Sequence, residues 1–88
     1  MKSITVIINY DDMLQNITGV KREKATVSED LPFVHMLNFV FTSYPEMMKK
    51  YPPGVLGFSI NGEPPSEFDL MHDGDTLELK VYTENLPH

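Results

Sequence analysis

The chain has 88 residues, 41% of them hydrophobic and 23% charged, which suits one small globular domain and excludes both a disordered segment and a two-lobed enzyme with a deep cleft. Thirteen acids against seven bases leave a net charge of −6, which repels phosphate backbones and argues against non-specific nucleic-acid binding. The absence of cysteine excludes disulfides, thiolate metal sites, iron–sulfur clusters and a cysteine nucleophile.

Residues 3–9 are dominated by β-branched side chains, with Ile4, Val6 and Ile8 on one face at period two and Ile7 on the other, so they read as a strand. The run is too short for a membrane span and lacks a small-residue cleavage site, so a cytoplasmic protein is expected. Tyr10-Asp11-Asp12 breaks the alternation, a short apolar patch runs from Met13 to Ile17, and Thr18-Gly19 marks a turn. From Lys21 to Val27 charged residues alternate with small or β-branched ones, which predicts an exposed strand paired antiparallel to the first.

Ser28-Glu29-Asp30 offers helix-capping residues and Pro32 suits a first helical turn. Phe33, Met36, Leu37, Val40, Phe41 and Tyr44 then recur at helical spacing and predict an amphipathic helix of about three turns. Tyr44-Pro45 ends it, residues 45–51 allow one more turn, and Pro52-Pro53-Gly54 is a break. Val55–Ile60 reads as a strand with Leu56, Phe58 and Ile60 on one face, followed by a tight Asn61-Gly62 turn. Pro64-Pro65 keeps the next segment out of a central strand, and Phe68 and Leu70 are expected to anchor a short edge segment in the core. After a turn at Asp73-Gly74-Asp75, Thr76–Tyr82 alternates, with Leu77, Leu79 and Val81 inward and Glu78, Lys80 and Tyr82 outward. Residues 83–88 carry no pattern and are expected to form a mobile tail on a single domain spanning 1–82.

The element order β-β-α-β-β predicts an α+β fold with one main helix packed on one face of a mixed sheet. The two terminal strands can lie side by side in the middle, as in a ubiquitin-like β-grasp. A split βαβ sandwich also fits the periodicity, though it usually needs a second full helix.

Four stretches, in order, resemble the small subunit of molybdopterin synthase. Residues 9–19, with their strand exit, short turn and Thr18-Gly19, are similar to the family's first-strand exit. Tyr44-Pro45-Glu46 is similar to its helix end, and Ser59-Ile60-Asn61-Gly62-Glu63 to its hairpin. Leu70-Met71-His72-Asp73-Gly74-Asp75-Thr76-Leu77-Glu78-Leu79 is similar to the entry to its last strand. The thiamine-pathway sulfur carriers share the last two features. The resemblance spans about residues 4–82 and implies the β-grasp fold.

Members of that family carry sulfur as a thiocarboxylate on a C-terminal Gly-Gly, formed after adenylation by a ubiquitin-activating-type enzyme. Glycine suits a chain end that must enter a narrow channel. A gapless match from Asp75 sets Asn85-Leu86 where that pair falls, and the last glycine is Gly74, so no residue inherits the thiocarboxylate role. In the family the outward face of the last strand and the tail meet the partner protein, which points to Glu78, Lys80, Tyr82, Asn85 and Leu86 as partner-binding residues. Lys80 departs from the apolar residues common on that face.

Other candidate chemistry is weaker. His35 reads as a surface or boundary histidine rather than a catalytic base. Asp69, His72, Asp73 and Asp75 offer ligand types for a divalent metal, but turn acids arise for structural reasons too. Asp11 and Asp12 read as a solvated loop. Met36 is expected in the core, at least one of Met47 and Met48 is expected to be exposed, and Tyr51, Pro52 and one of that pair suggest a small apolar patch.

The resulting expectation is a non-catalytic protein-binding module or small subunit, without metal or cofactor, linked to molybdopterin or sulfur-transfer metabolism. The alternative is a sulfur carrier with an atypical tail. The acidic charge suggests a protein partner with a basic surface and a monomer when free, with no nucleic-acid or membrane partner.

Overall fold

The computed structural model describes residues 2–51, 54–66 and 68–82. The tail 83–88, with Asn85 and Leu86, lies outside the described residues, as do Pro52 and Pro53. The first strand, β1 (Ser3–Tyr10), buries Ile4, Val6, Ile8 and Tyr10 and turns Ser3, Thr5, Ile7 and Asn9 to the opposite face. The Met13–Ile17 patch becomes a one-turn helix, α1 (Gln15–Thr18), closed by Gly19 at φ 76°, whose N–H donates to the Gln15 carbonyl. β2 (Arg22–Ser28) returns antiparallel to β1, pairing Val6 with Ala25 and Ile8 with Glu23.

The main helix, α2 (Phe33–Ser43), buries Phe33, Met36 and Val40. Its start differs from the sequence expectation. Pro32 is the N-cap and no side chain caps the helix. Ser28 still belongs to β2, the Glu29 N–H is bound to the Lys2 carbonyl, and Asp30 makes a left-handed turn at φ 61°. The free N–H of Phe33 donates instead to the Asp69 carbonyl at 2.7 Å, so a neighbouring loop caps the helix. The Tyr44-Pro45 break begins a second short helix, α3 (Pro45–Lys50), which buries Met47.

β3 (Leu56–Ile60) and β4 (Thr76–Val81) complete a four-stranded sheet of order β2-β1-β4-β3. The terminal strands β1 and β4 run parallel in the middle, and the outer pairs are antiparallel. Asn61 (φ 53°) and Gly62 (φ 85°) form the expected tight turn after β3. The core lies between one sheet face and α2, with Val6, Ile8, Leu14, Met36, Val40, Met47, Met71, Leu77 and Leu79 essentially dry. Phe58 sits edge-to-face with both Phe33 (6.0 Å) and Phe41 (6.3 Å).

Two expectations about apolar residues fail. Phe68 and Leu70 are 75% and 43% exposed, and the buried residue of that segment is Met71 at 0%. A backbone bridge pairs Leu70 with Pro32, and the Met71 N–H donates to the Leu31 carbonyl; this register turns Met71 inward and its neighbour out. The apolar patch around Tyr51 is also absent among the described residues, because Tyr51 and Met47 are buried and only Met48 is exposed. No helix among the described residues is long and apolar enough to cross a membrane.

Candidate protein-interaction face

The sheet face opposite α2 carries the expected partner-binding residues of β4. Glu78 lies beside Ser59, and Lys80 beside Gly57. Their side chains approach to 3.9 Å, but both are solvated and the pair adds little. The Tyr82 N–H donates to the Val55 carbonyl at 2.7 Å, which extends the β3–β4 ladder by one bond. The Tyr82 ring folds back over Gly57, where a Cβ would overlap ring atoms Cε2, Cζ and Oη. Glycine therefore allows this close approach of the ring, and no positive φ is involved. Gly57, Ser59, Gly62, Glu78, Lys80 and Tyr82 enclose a shallow cavity of about 160 Å³. The sequence pattern placed Glu78, Lys80 and Tyr82 together. It did not reveal Gly57, whose only signal was a glycine inside an alternating strand.

The exit of β4 is pinned from both sides. Asp11, read from sequence as solvated, is the second anchor. Its Oδ2 accepts the Val81 N–H at 2.6 Å and its Oδ1 accepts the Leu14 N–H at 2.9 Å. The Asp11 N–H in turn donates to the Leu79 carbonyl. One side chain thus joins the end of β1, the start of α1 and the last residue of β4. Asp12 is exposed and contacts only the Gln15 amide, at 3.4 Å, among the described residues.

On the helix side, Glu23 accepts hydrogen bonds from two phenols. The Tyr10 hydroxyl donates to Oε1, and the Tyr44 hydroxyl lies 3.1 Å from both carboxylate oxygens. The two rings meet edge-to-face at 5.9 Å. Burial, then the Glu23 carboxylate, raises both phenol pKa values above their ordinary range, Tyr10 more strongly. The cluster ties β1 and β2 to the end of α2; no motif in the sequence announced it.

The turn acids are already engaged. Asp73 accepts the Thr5 N–H, Asp69 the Ser66 N–H, and Asp75 the His72 N–H and the Asn61 amide. No group of three metal-ligating side chains converges among the described residues. His35 is exposed on α2.

Charge is segregated. Glu29, Asp30, Glu63, Asp69, Asp73 and Asp75 gather at the end where β1 begins and β3 ends. The outer sheet face instead carries Arg22, Lys24 and Lys80 against Glu78. The acidity from which a basic partner is expected thus lies at that end rather than on this face.

No protein-family model and no curated protein sequence matches the chain. Solved structures do. Small archaeal modifier protein 1 of Haloferax volcanii superposes with a TM-score of 0.76 at 15% identity, covering 89% of this chain and 97% of that one. A Pyrococcus furiosus protein described as a molybdopterin converting factor, subunit 1, gives a TM-score of 0.76 at 18% identity, with the same coverage. The fold is the ubiquitin-like β-grasp. The resemblance read from the four sequence stretches and the structural likeness thus agree on the fold, although identity is low.

Proposed function

We propose that this β-grasp chain is a non-catalytic protein-binding module that docks through the outer face of β3 and β4, with Glu78, Lys80 and Tyr82 at its centre and Asn85 and Leu86 continuing the contact along the tail. The observation that carries the reading is the Tyr82 ring held against Gly57 beside a shallow polar cavity. A half-exposed aromatic ring already packed against the strand suits an interface anchor. The likeness to a small modifier and to a molybdopterin converting factor subunit supports a role beside molybdopterin or sulfur-transfer enzymes. Calorimetric titration against a ubiquitin-activating-type adenylating enzyme and against a molybdopterin synthase large subunit tests it. Stoichiometric binding weakened by Tyr82→Ala is the expected result; binding to either that ignores Tyr82→Ala refutes the face.

The same likeness favours one second reading, a sulfur carrier using an atypical tail. It requires a mass increase on the C-terminal residues after incubation with an adenylating enzyme, ATP and a sulfur donor. An unchanged intact mass excludes it.

A further inference from the structure

Phe68 is 75% exposed, more than any other large apolar side chain among the described residues, and Leu70 is 43% exposed. The backbone around them is ordered. The Asp69 N–H donates to the Ser66 carbonyl at 3.0 Å and the Ser66 N–H donates to Asp69 Oδ2 at 2.8 Å, which closes a tight turn with Phe68 near its tip. The Asp69 carbonyl caps α2, Leu70 bridges to Pro32, and the Met71 N–H donates to the Leu31 carbonyl at 2.8 Å. The segment that follows the ring is thus tied to the start of α2, and the ring faces solvent.

The same segment walls an open hollow of about 200 Å³. Pro64, Pro65 and Leu70 give it apolar sides, and Glu63, Asp69 and Asp75 give it three carboxylates. Asp75 is taken by the Asn61 amide and the His72 N–H. The Glu63 carboxylate and Asp69 Oδ1 accept no hydrogen bond from a described residue. None of the three acids pairs with a described lysine or arginine, and His72, itself exposed, lies 3.8 Å from Asp75. Asp73, on the Thr5 N–H, and Asp30, next to Leu31, add negative charge at the same end, against Lys2.

We infer that Phe68, Leu70 and the hollow beside them form a second docking surface, taken by a basic segment of a protein partner. An apolar side chain of the partner covers Phe68 and Leu70. A lysine or arginine next to it lays its stem along Pro64 and Pro65 and sets its charge against Glu63 and Asp69. The apolar pair is the anchor, and the charge chooses the occupant. Carboxylates in this number repel nucleic-acid phosphates, anionic lipid and the same end of a second copy. No three metal-ligating side chains converge among the described residues, so the carboxylates are spread for an extended cation rather than a single metal ion. The surface shares no residue with the outer face of β3 and β4, so the two proposals stand or fall separately.

NMR titration of the full chain tests it, with three short synthetic peptides that alternate lysine with leucine, lysine with serine, and glutamate with leucine. The lysine–leucine peptide is expected to shift the Phe68, Asp69 and Leu70 amides and to bind at least about tenfold more tightly than the lysine–serine peptide. Its binding weakens as salt rises from about 0.05 M to about 0.5 M, and the glutamate–leucine peptide leaves the spectrum unchanged. Phe68→Ser and, in a separate chain, Glu63→Lys each weaken the binding at least about tenfold while circular dichroism stays native, and Tyr82→Ala leaves it unchanged. Equal binding of the lysine–serine peptide overturns the inference, because charge alone then suffices. So does binding that ignores Phe68→Ser, a shift pattern centred on another face, or the absence of any shift at about 1 mM peptide. Calcium chloride alone reproducing the shifts also overturns it, as do shifts at these amides that grow with the chain's own concentration before peptide is added, which would make a second copy the occupant.

Discussion

Asp11→Ala removes one side chain and two hydrogen bonds, those to Val81 at 2.6 Å and Leu14 at 2.9 Å. A bond to a carboxylate contributes roughly 1.5–3 kcal/mol when shielded, and the half-exposed position reduces this, so the pair is worth roughly 2–3 kcal/mol. For a domain of this size that lowers the thermal midpoint by about 10–20 °C. Asp11→Asn keeps one acceptor oxygen but sets an N–H₂ against the other donor, so it loses about half as much. Asp12→Ala, on the exposed neighbour, stays within about 0.5 kcal/mol of the parent. Urea unfolding followed by circular dichroism measures all three. Amide exchange at Val81 reports whether the end of β4 frays. An Asp11→Ala chain as stable as Asp12→Ala would refute the clamp and restore the solvated loop.

Gly57→Ala pushes the Tyr82 ring off the sheet; because the displaced atoms are the far end of a flexible side chain and alanine suits a strand better than glycine does, stability changes by less than about 1 kcal/mol. The ring-current shift that Tyr82 imposes on the Gly57 α-protons of the parent is lost at the substituted residue's α-proton and in a Tyr82→Ala chain, and an unchanged shift in Tyr82→Ala would contradict the stacking. Tyr44→Phe costs about 0.5–1.5 kcal/mol in urea unfolding, because it frees one side of the Glu23 cluster. The raised pKa values of Tyr10 and Tyr44 mean that the fold holds their neutral forms. Their stabilisation is complete below the ordinary value of 10.0 and is lost as pH rises above it, a decline that Tyr10→Phe reduces in alkaline unfolding curves. Met71→Ala costs roughly 2–5 kcal/mol in the same assay, whereas Phe68→Ser on the exposed side of that segment costs less than about 0.5 kcal/mol.

Strand and helix periodicity were legible because burial imposes them. Ile4, Val6 and Ile8 alternate against the core, and Phe33, Met36 and Val40 repeat at helical spacing for the same reason. Phe68 and Leu70 misled because a bridge to Pro32, set by three-dimensional register, decides which neighbour turns inward. The Ser28-Glu29-Asp30 cluster misled because its residues serve β2 and a turn, while a carbonyl remote in sequence caps α2. For the candidate face, alternation placed Glu78, Lys80 and Tyr82 on one side. Asp11, Gly57 and Glu23 act across strands, through contacts that residue spacing along one strand does not encode.

The most direct test of the docking face is a quantitative comparison of proteins captured from native extract by the parent chain, by Tyr82→Ala with Lys80→Glu, and by an Asn38→Asp control on the exposed side of α2. The account predicts a protein retained by the parent and the control and lost by the sheet-face variant, in a stoichiometric complex that the purified components re-form. Equal capture by all three chains would contradict it.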